Sequence, residues 1–146
     1  MGCTPQKTTE QLLNDITTQS SIHAFFSENE NEFADKSLSA YLNEMLRKHT
    51  VKKSELFRRA GLEGSNYGYE LFSNDKKTPS RDILLRLCLA FPLSIDETQH
   101  ALRNAGLAIL YPRDMRDAYI LFAIKNNYDI DRLNALLDEK GLQSMN

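Results

Sequence analysis

Cysteine and histidine are scarce in this chain, which has two cysteines and three histidines among 146 residues. Cys3 lies near the N-terminus and Cys88 inside an apolar segment, so we expect no disulfide between them and a reducing, cytoplasmic location. The histidines (His23, His49 and His100) are scattered, without a Cys or His at ligand spacing. A zinc site is therefore not expected.

Patterns typical of enzymes are also lacking. Gly61 and Gly64 are not followed by the Gly-Lys-Ser/Thr sequence of a phosphate-binding loop. No nucleophile stands at a recognisable spacing from a base, and most carboxylates lie at helix starts, where the helix dipole explains them. We therefore predict a protein that is not an enzyme, with no catalytic residue, no cofactor and no bound metal.

Long apolar runs are absent too. No stretch approaches the roughly 18 apolar residues that a membrane-spanning helix needs. Residues 1–6 are not the start of a signal peptide, because no apolar segment follows a basic start. We expect no association with a membrane.

Negative charge predominates only slightly, with a net charge of −2 that is unevenly distributed. Residues 1–36 carry two basic and six acidic side chains, residues 37–86 carry ten and six, and residues 87–146 carry six and eight. A basic segment within an acidic protein suits a surface that faces phosphates. A solvated face with ordinary salt bridges explains the same distribution equally well.

Two short helices around a glycine are predicted in the middle of the chain. Leu56 and Ala60 mark the buried face of the first helix by their spacing of four, and Tyr67 and Leu71 mark that of the second. Gly61 suits the helix end between them, because the residue after a helix often adopts a positive φ. Two helices joined by such a turn form the helix-turn-helix pattern, whose second helix enters the DNA major groove.

Residues 42 to about 93 resemble the lambda-repressor-like (Xre-type) helix-turn-helix family of bacterial and phage regulators. The resemblance rests on Leu-Asn-Glu-Met-Leu from Leu42, Val-Lys-Lys-Ser-Glu-Leu from Val51, Ala-Gly-Leu from Ala60, Thr-Pro-Ser from Thr78 and Leu-Ser-Ile-Asp-Glu from Leu93. It implies an all-α fold and sequence-specific binding of double-stranded DNA in transcription regulation. It also implies a homodimer, since one such helix reads only a few base pairs.

Eight residues are predicted to contact DNA. Lys52 and Lys53 open the first of these helices, a position that in the resembled family lies over the DNA backbone, where a lysine would neutralise a phosphate. We expect phosphate contacts from Lys52, Lys53, Lys76, Lys77 and Arg81, and groove contacts from Ser65, Asn66 and Tyr69 in a recognition helix over 65–73. Gly68 costs about 1 kcal/mol relative to alanine inside a helix, which indicates the close approach of another surface.

A second hypothesis keeps the same fold but replaces DNA by a protein. Glu63 and Glu70 would repel phosphates, and the whole chain is mildly acidic. An adaptor of this kind would use Tyr67, Tyr69 and the apolar groups of the N-terminal segment to bind a partner such as a signalling kinase or a toxin.

Three parts of the chain are expected: a helical and polar extension (1–37), the helix-turn-helix domain (38–107) and a C-terminal helical hairpin packed on the same core (108–146). Within the helix-turn-helix domain, Thr78 is predicted to cap the apolar helix that follows it, with Pro79 in the first turn of that helix. Each apolar stripe in the extension is too small to hold a fold alone.

An internal repeat becomes visible when the chain is shifted by 35 residues. Arg81-Asp82 then falls on Arg116-Asp117, Ile95-Asp96 on Ile130-Asp131, and Gly106-Leu107 on Gly141-Leu142. Each copy predicts an αα-hairpin that cannot bury its apolar face alone, so we expect two hairpins that stack on each other. Convergent use of the same capping residues is the alternative explanation.

Overall fold

A computed structural model describes residues 7–18, 21–28 and 37–145. Within these ranges the regular structure consists of nine α-helices and no strand, so the prediction of an all-α fold is confirmed. The helices are α1 (Thr9–Thr18), α2 (Ile22–Glu28), α3 (Leu38–His49), α4 (Lys53–Ala60), α5 (Tyr67–Ser73), α6 (Arg81–Ala90), α7 (Ile95–Asn104), α8 (Met115–Lys125) and α9 (Ile130–Glu139). Cys3 and residues 29–36 of the predicted extension lie outside the described residues.

The chain divides into two compact units, residues 1–36 and 37–146. In the first unit α1 begins with a reciprocal cap. The Thr8 hydroxyl accepts a hydrogen bond from the backbone N–H of Gln11, and the Gln11 side chain accepts one from the N–H of Thr8. Leu13 and Ile16 on α1 are exposed. The predicted subdivision of the second unit at residue 107 stays a prediction.

Helix α6 lies at the centre of the second unit, where it packs against α4, α7 and α9. Leu84, Leu85 and Leu87 have no exposed surface, as is typical of an apolar helix at the centre of a bundle. Cys88 is equally buried, and burial raises the pKa of its thiol to about 12. Cys88 therefore serves packing and carries no thiolate at neutral pH.

The start of α6 differs from the prediction. Thr78 was expected to cap this helix, but the cap is Ser80, whose hydroxyl accepts the backbone N–H of Ile83 at 3.2 Å. Pro79 precedes the cap and is buried. Both Thr78 and Ser80 are good capping residues, and a proline next to either suits a helix start. Which of the two residues caps the helix depends on where α6 must begin in order to bury its apolar residues.

The two repeat copies make equivalent hydrogen bonds at positions 35 residues apart. Arg81 donates from Nε to the carbonyl of Ala108 at 2.9 Å, and Arg116 donates from Nε to the carbonyl of Gln143 at 2.9 Å. The side chain of Gln99 bonds both the N–H and the C=O of Leu110, just as Asn134 bonds those of Met145. Because these contacts are tertiary, convergent capping does not explain them.

The repeated Arg-Asp pairs cross between the copies. The Arg81 guanidinium donates to both carboxylate oxygens of Asp117, at 3.0 and 2.9 Å. The Arg116 guanidinium donates to both oxygens of Asp82, at 3.1 and 3.0 Å. Each arginine thus holds the C-terminal tail of its own copy and the aspartate of the other copy. Two bidentate pairs of this kind fix the orientation of α6 relative to α8.

Candidate nucleic-acid interface

The turn between α4 and α5 is formed as its sequence predicts. Gly61 ends α4 with a φ of 74°, and the N–H of Leu62 then bonds the carbonyl of Phe57 at 2.8 Å. The predicted close approach at Gly68 is also confirmed. A Cβ atom at Gly68 would stand 2.8 Å from a ring carbon of Phe57, so only glycine lets α5 lie this close to α4.

An aromatic cluster joins the two helices. The Phe57 ring contacts Tyr69 edge-on at 4.8 Å between centroids and Phe72 at 5.6 Å. The amine of Lys53 lies 5.4 Å from the centre of the Phe72 ring. Lys53 is partly buried, so its amine lies over the edge of this aromatic cluster.

Five of the eight predicted DNA-contacting residues are exposed on this helix pair or directly beside it: Lys52, Ser65, Asn66, Tyr69 and Lys76. Lys52 and Asn66 occupy the positions just before α4 and α5, and neither side chain makes a capping hydrogen bond. Tyr69 is 50% exposed. The opposite sides of the helices, with Leu56 and Leu71, are fully buried. The pair therefore presents a polar face that contains hydroxyl, amide and amine groups.

Lys77 and Arg81 are engaged within the chain. The Lys77 amine lies 3.0 Å from the carboxylate of Glu70 and 4.7 Å from the centre of the Tyr67 ring. Arg81 directs its three guanidinium nitrogens to Asp117 and to the carbonyls of Ala108 and Ile109. Their charges are consequently offset by neighbouring carboxylates, and Arg81 has little donor capacity left for a phosphate.

The pKa of Asp117 reflects this engagement. Burial tends to raise it, but hydrogen bonds from Arg81 and from the N–H of Tyr111 stabilise the carboxylate, and the net result is a lowered pKa. The Asp117 side chain is only 8% exposed. Moving Arg81 towards a phosphate would leave this carboxylate without its main partner, which is costly for a buried charge.

Arg86 is the residue at this site that sequence reasoning overlooked. Its guanidinium lies directly over Gly61, where an added Cβ would clash with Nη2. Its Nε is buried without a hydrogen-bond partner. A cavity of about 450 Å³ beside it is lined by Arg58 and Arg59, but also by Asp129 and Asp131. The signal in the sequence was an arginine flanked by leucines within the apolar run of α6. Because the lining contains acidic as well as basic side chains, this cavity does not favour the binding of a phosphate.

No family model, no curated protein and no solved structure matches this chain. The likeness to the lambda-repressor-like family therefore rests on the residues of the sequence alone. In the part of the chain that the structure describes, no helix is both long and apolar enough to span a membrane. Among the same residues, no cluster of three His, Cys, Asp or Glu side chains could hold a metal ion.

Proposed function

We propose that this protein is a non-enzymatic, cytoplasmic transcription regulator that binds double-stranded DNA through α4 and α5. The observation that carries the proposal is the polar face of this helix pair. Lys52, Asn66 and Tyr69 are exposed on it, while Leu56 and Leu71 are buried on the other side. A glycine-turn helix pair of this kind matches the motif that inserts its second helix into the major groove.

Phosphate contacts would come from Lys52, Lys53 and Lys76. Lys52 and Lys53 lie at the start of α4, Lys76 lies three residues after the end of α5, and Lys52 and Lys76 are exposed. Lysines in such places orient a protein on the duplex and supply affinity that does not depend on base sequence. Lys77 and Arg81 contribute less in this proposal than the sequence indicated, because their partners within the chain would have to be given up first.

Base contacts would come from the start of α5. The Asn66 amide can donate and accept at once, as an adenine edge requires in the major groove. The Ser65 hydroxyl and the Tyr69 phenol supply further donors next to it. One short helix reads only a few base pairs, so the proposal includes a homodimer that reads two half-sites.

Fluorescence anisotropy with a random labelled duplex tests the proposal. We expect binding at low salt that weakens steeply as salt rises, because phosphate contacts release counterions. Replacing Lys52, Lys53 and Lys76 by Gln should weaken binding and reduce the slope of log affinity against log salt by roughly 3. The matched control replaces Arg113, Lys125 and Lys140, three exposed basic residues of the C-terminal half, by Gln. Flat anisotropy at low salt, or equal losses in both triple variants, would contradict DNA binding at this face.

Binding of a protein in place of DNA is the second candidate, and two observations favour it. Glu70 is exposed on α5, and the charges of Lys77 and Arg81 are already offset within the chain. An adaptor would use Tyr67, Tyr69 and the N-terminal segment to hold a signalling kinase or a toxin. Replacing Lys52, Lys53, Lys76 and Lys77 by Glu should abolish DNA binding under the first proposal. It should leave capture of a protein partner unchanged under the second.

A further inference from the structure

An apolar groove lies open between α8 and α9. It has a volume of about 740 Å³, and its lining includes Met115, Tyr119, Phe122, Tyr128, Arg132 and Leu136. Met115 is 64% exposed and Phe122 is 53% exposed. Large apolar side chains grouped in this way on a surface mark a place where another molecule packs.

The repeat identifies the equivalent surface in the first copy. A shift of 35 residues relates Tyr119, Phe122 and Tyr128 to Leu84, Leu87 and Leu93 of the α6–α7 hairpin. These three leucines are buried, with at most 2% of their surface exposed. In this copy α3 packs against α7 and α4 packs against α6. The groove is therefore the same kind of surface as the one on which these helices pack, but within residues 37–145 no helix covers it.

Helix α3 shows how such a surface is filled. It buries Leu38, Tyr41, Leu42 and Met45, a stripe that extends over two turns. The Tyr41 ring stacks on His100 at 5.5 Å, and its hydroxyl donates to the carbonyl of Glu97 at 3.2 Å. An amphipathic helix laid into an apolar groove with this spacing is a general mode of protein recognition.

The surfaces of the two copies differ in the charge of one equivalent residue. In the first copy Glu97 accepts the Lys48 amine at 2.7 Å and contacts Nε2 of His49 at 3.0 Å, both from the last turn of α3. The equivalent position in the second copy is Arg132, whose guanidinium lies 3.9 Å from the centre of the Tyr128 ring. The charge at this position is therefore negative in the first copy and positive in the second. A helix that covers the groove in the orientation of α3 thus needs carboxylates where α3 has Lys48 and His49.

We infer that the α8–α9 groove binds an amphipathic helix of a partner protein, with apolar residues over two turns and carboxylates in its last turn. Its N-terminal end would meet Glu139, which also lines the groove, and a helix N-terminus attracts a carboxylate. The α1 helix of a second copy is a poorer occupant, because its exposed apolar residues Leu13 and Ile16 cover only one turn. The groove shares no residue with the proposed DNA-binding face, so either proposal can fail without the other.

The probe is a peptide with the sequence of residues 37–50, in which the substitutions Lys48→Glu and His49→Glu supply the carboxylates. The same peptide with Lys48 and His49 retained is its control. Both are labelled with a fluorophore and titrated with the full-length protein. We expect the acidic peptide to bind about fivefold more tightly than the basic one, in line with one partly exposed ion pair. In an Arg132→Glu protein the preference should reverse.

Two protein variants locate the binding. Phe122→Asp should abolish binding of the acidic peptide, whereas Leu13→Asp, at a similarly exposed apolar residue on α1, should leave it unchanged. Circular dichroism of each variant checks that the helices are intact. Absence of binding, equal affinity for both peptides in the unmodified protein, or equal losses in the two variants would overturn the inference. A dimer seen by light scattering that Phe122→Asp dissociates would also overturn it, because a second copy would then occupy the groove.

Discussion

Gly68 illustrates how a single residue sets the distance between α4 and α5. Alanine normally stabilises a helix relative to glycine by about 1 kcal/mol, so an internal glycine indicates an opposing constraint. The constraint is the Phe57 ring, three atoms of which lie 2.8–3.0 Å from the place of a Cβ. The sequence alone predicted a close approach at this residue. It did not predict that Phe57 would be the neighbour.

Replacement of Gly68 by alanine should therefore destabilise the protein, by about 1–3 kcal/mol, because the added methyl group overpacks the contact with Phe57. Urea unfolding followed by circular dichroism measures the change. A second variant that combines Gly68→Ala with Phe57→Leu should recover part of the loss, since a smaller side chain makes room for the methyl group. A Gly68→Ala variant as stable as the unmodified protein, or more stable, would show that the two helices can separate at no cost.

Residue-scale prediction worked where the signal was local. The helix end at Gly61, with its positive φ, depends on neighbours within one turn of helix. Arg81 shows the opposite case. It was predicted to hold a phosphate, but its guanidinium bonds Asp117, which is 36 residues away in the sequence. A pattern of neighbouring residues cannot predict a contact between residues so far apart in the sequence.

At the scale of elements, the crossed Arg-Asp pairs link the α6–α7 and α8–α9 hairpins. The two pairs are related by the repeat but differ in burial. The side chain of Asp117 is 8% exposed and also accepts the N–H of Tyr111, whereas that of Asp82 is 23% exposed. Loss of charge at the more buried carboxylate leaves more donors unsatisfied.

Asp117→Asn should accordingly cost about 3 kcal/mol of unfolding free energy, and the equivalent Asp82→Asn about 1 kcal/mol. Each variant serves as the control of the other, because both remove one charge from a bidentate pair with arginine. Chemical denaturation at neutral pH measures the two losses. Equal losses would mean that burial and the additional bond to Tyr111 contribute nothing.

Pairing between elements was only partly accessible from the sequence. The shift of 35 residues showed that Arg81-Asp82 and Arg116-Asp117 correspond. Whether each arginine pairs within its own copy or with the other copy depends on how the hairpins pack, which the repeat does not specify. The same shift located the groove of α8 and α9 only after the structure showed α3 and α4 on the equivalent surface.

At the scale of the whole molecule, several carboxylates have lowered pKa values, so acid should destabilise the fold. Glu97 is the strongest case, with a pKa lowered to about 2. Burial acts to raise this pKa, but the Lys48 amine, the N–H of Ser94 and His49 stabilise the carboxylate more strongly. Hydrogen bonds from Ser39 and Ser37 likewise lower the pKa of Asp75. These groups connect α3 with α7 and with the loop after α5.

Stability should be fully present above about pH 4.5, the pKa of an unfolded glutamate, and should fall as the pH approaches 2. Between these values the unfolded chain binds more protons than the folded protein does, so the free energy of unfolding decreases with falling pH. Glu97→Gln should cost about 2 kcal/mol at pH 7 and flatten the decrease below pH 4.5. Urea midpoints at pH 7, 4 and 3 test this. Glu139→Gln, at an exposed carboxylate of α9, is the control. An unchanged pH profile in Glu97→Gln would contradict the assignment.

The sequence by itself determined that the fold is all-α, that a helix ends at Gly61, and that the C-terminal half of the chain is repeated. The helices and their ends follow from spacing and capping, which act over four residues or fewer. The repeat follows from comparing the chain with itself at a shift of 35 residues. Only the tertiary structure decided which charged residues stay at the surface. Arg81 and Lys77 form ion pairs within the chain, whereas Lys52 and Lys76 are exposed. Within residues 37–145, the groove between α8 and α9 stays open. The physical reason is that a side chain's partners are chosen by the packing of whole helices, which brings together residues far apart in the sequence.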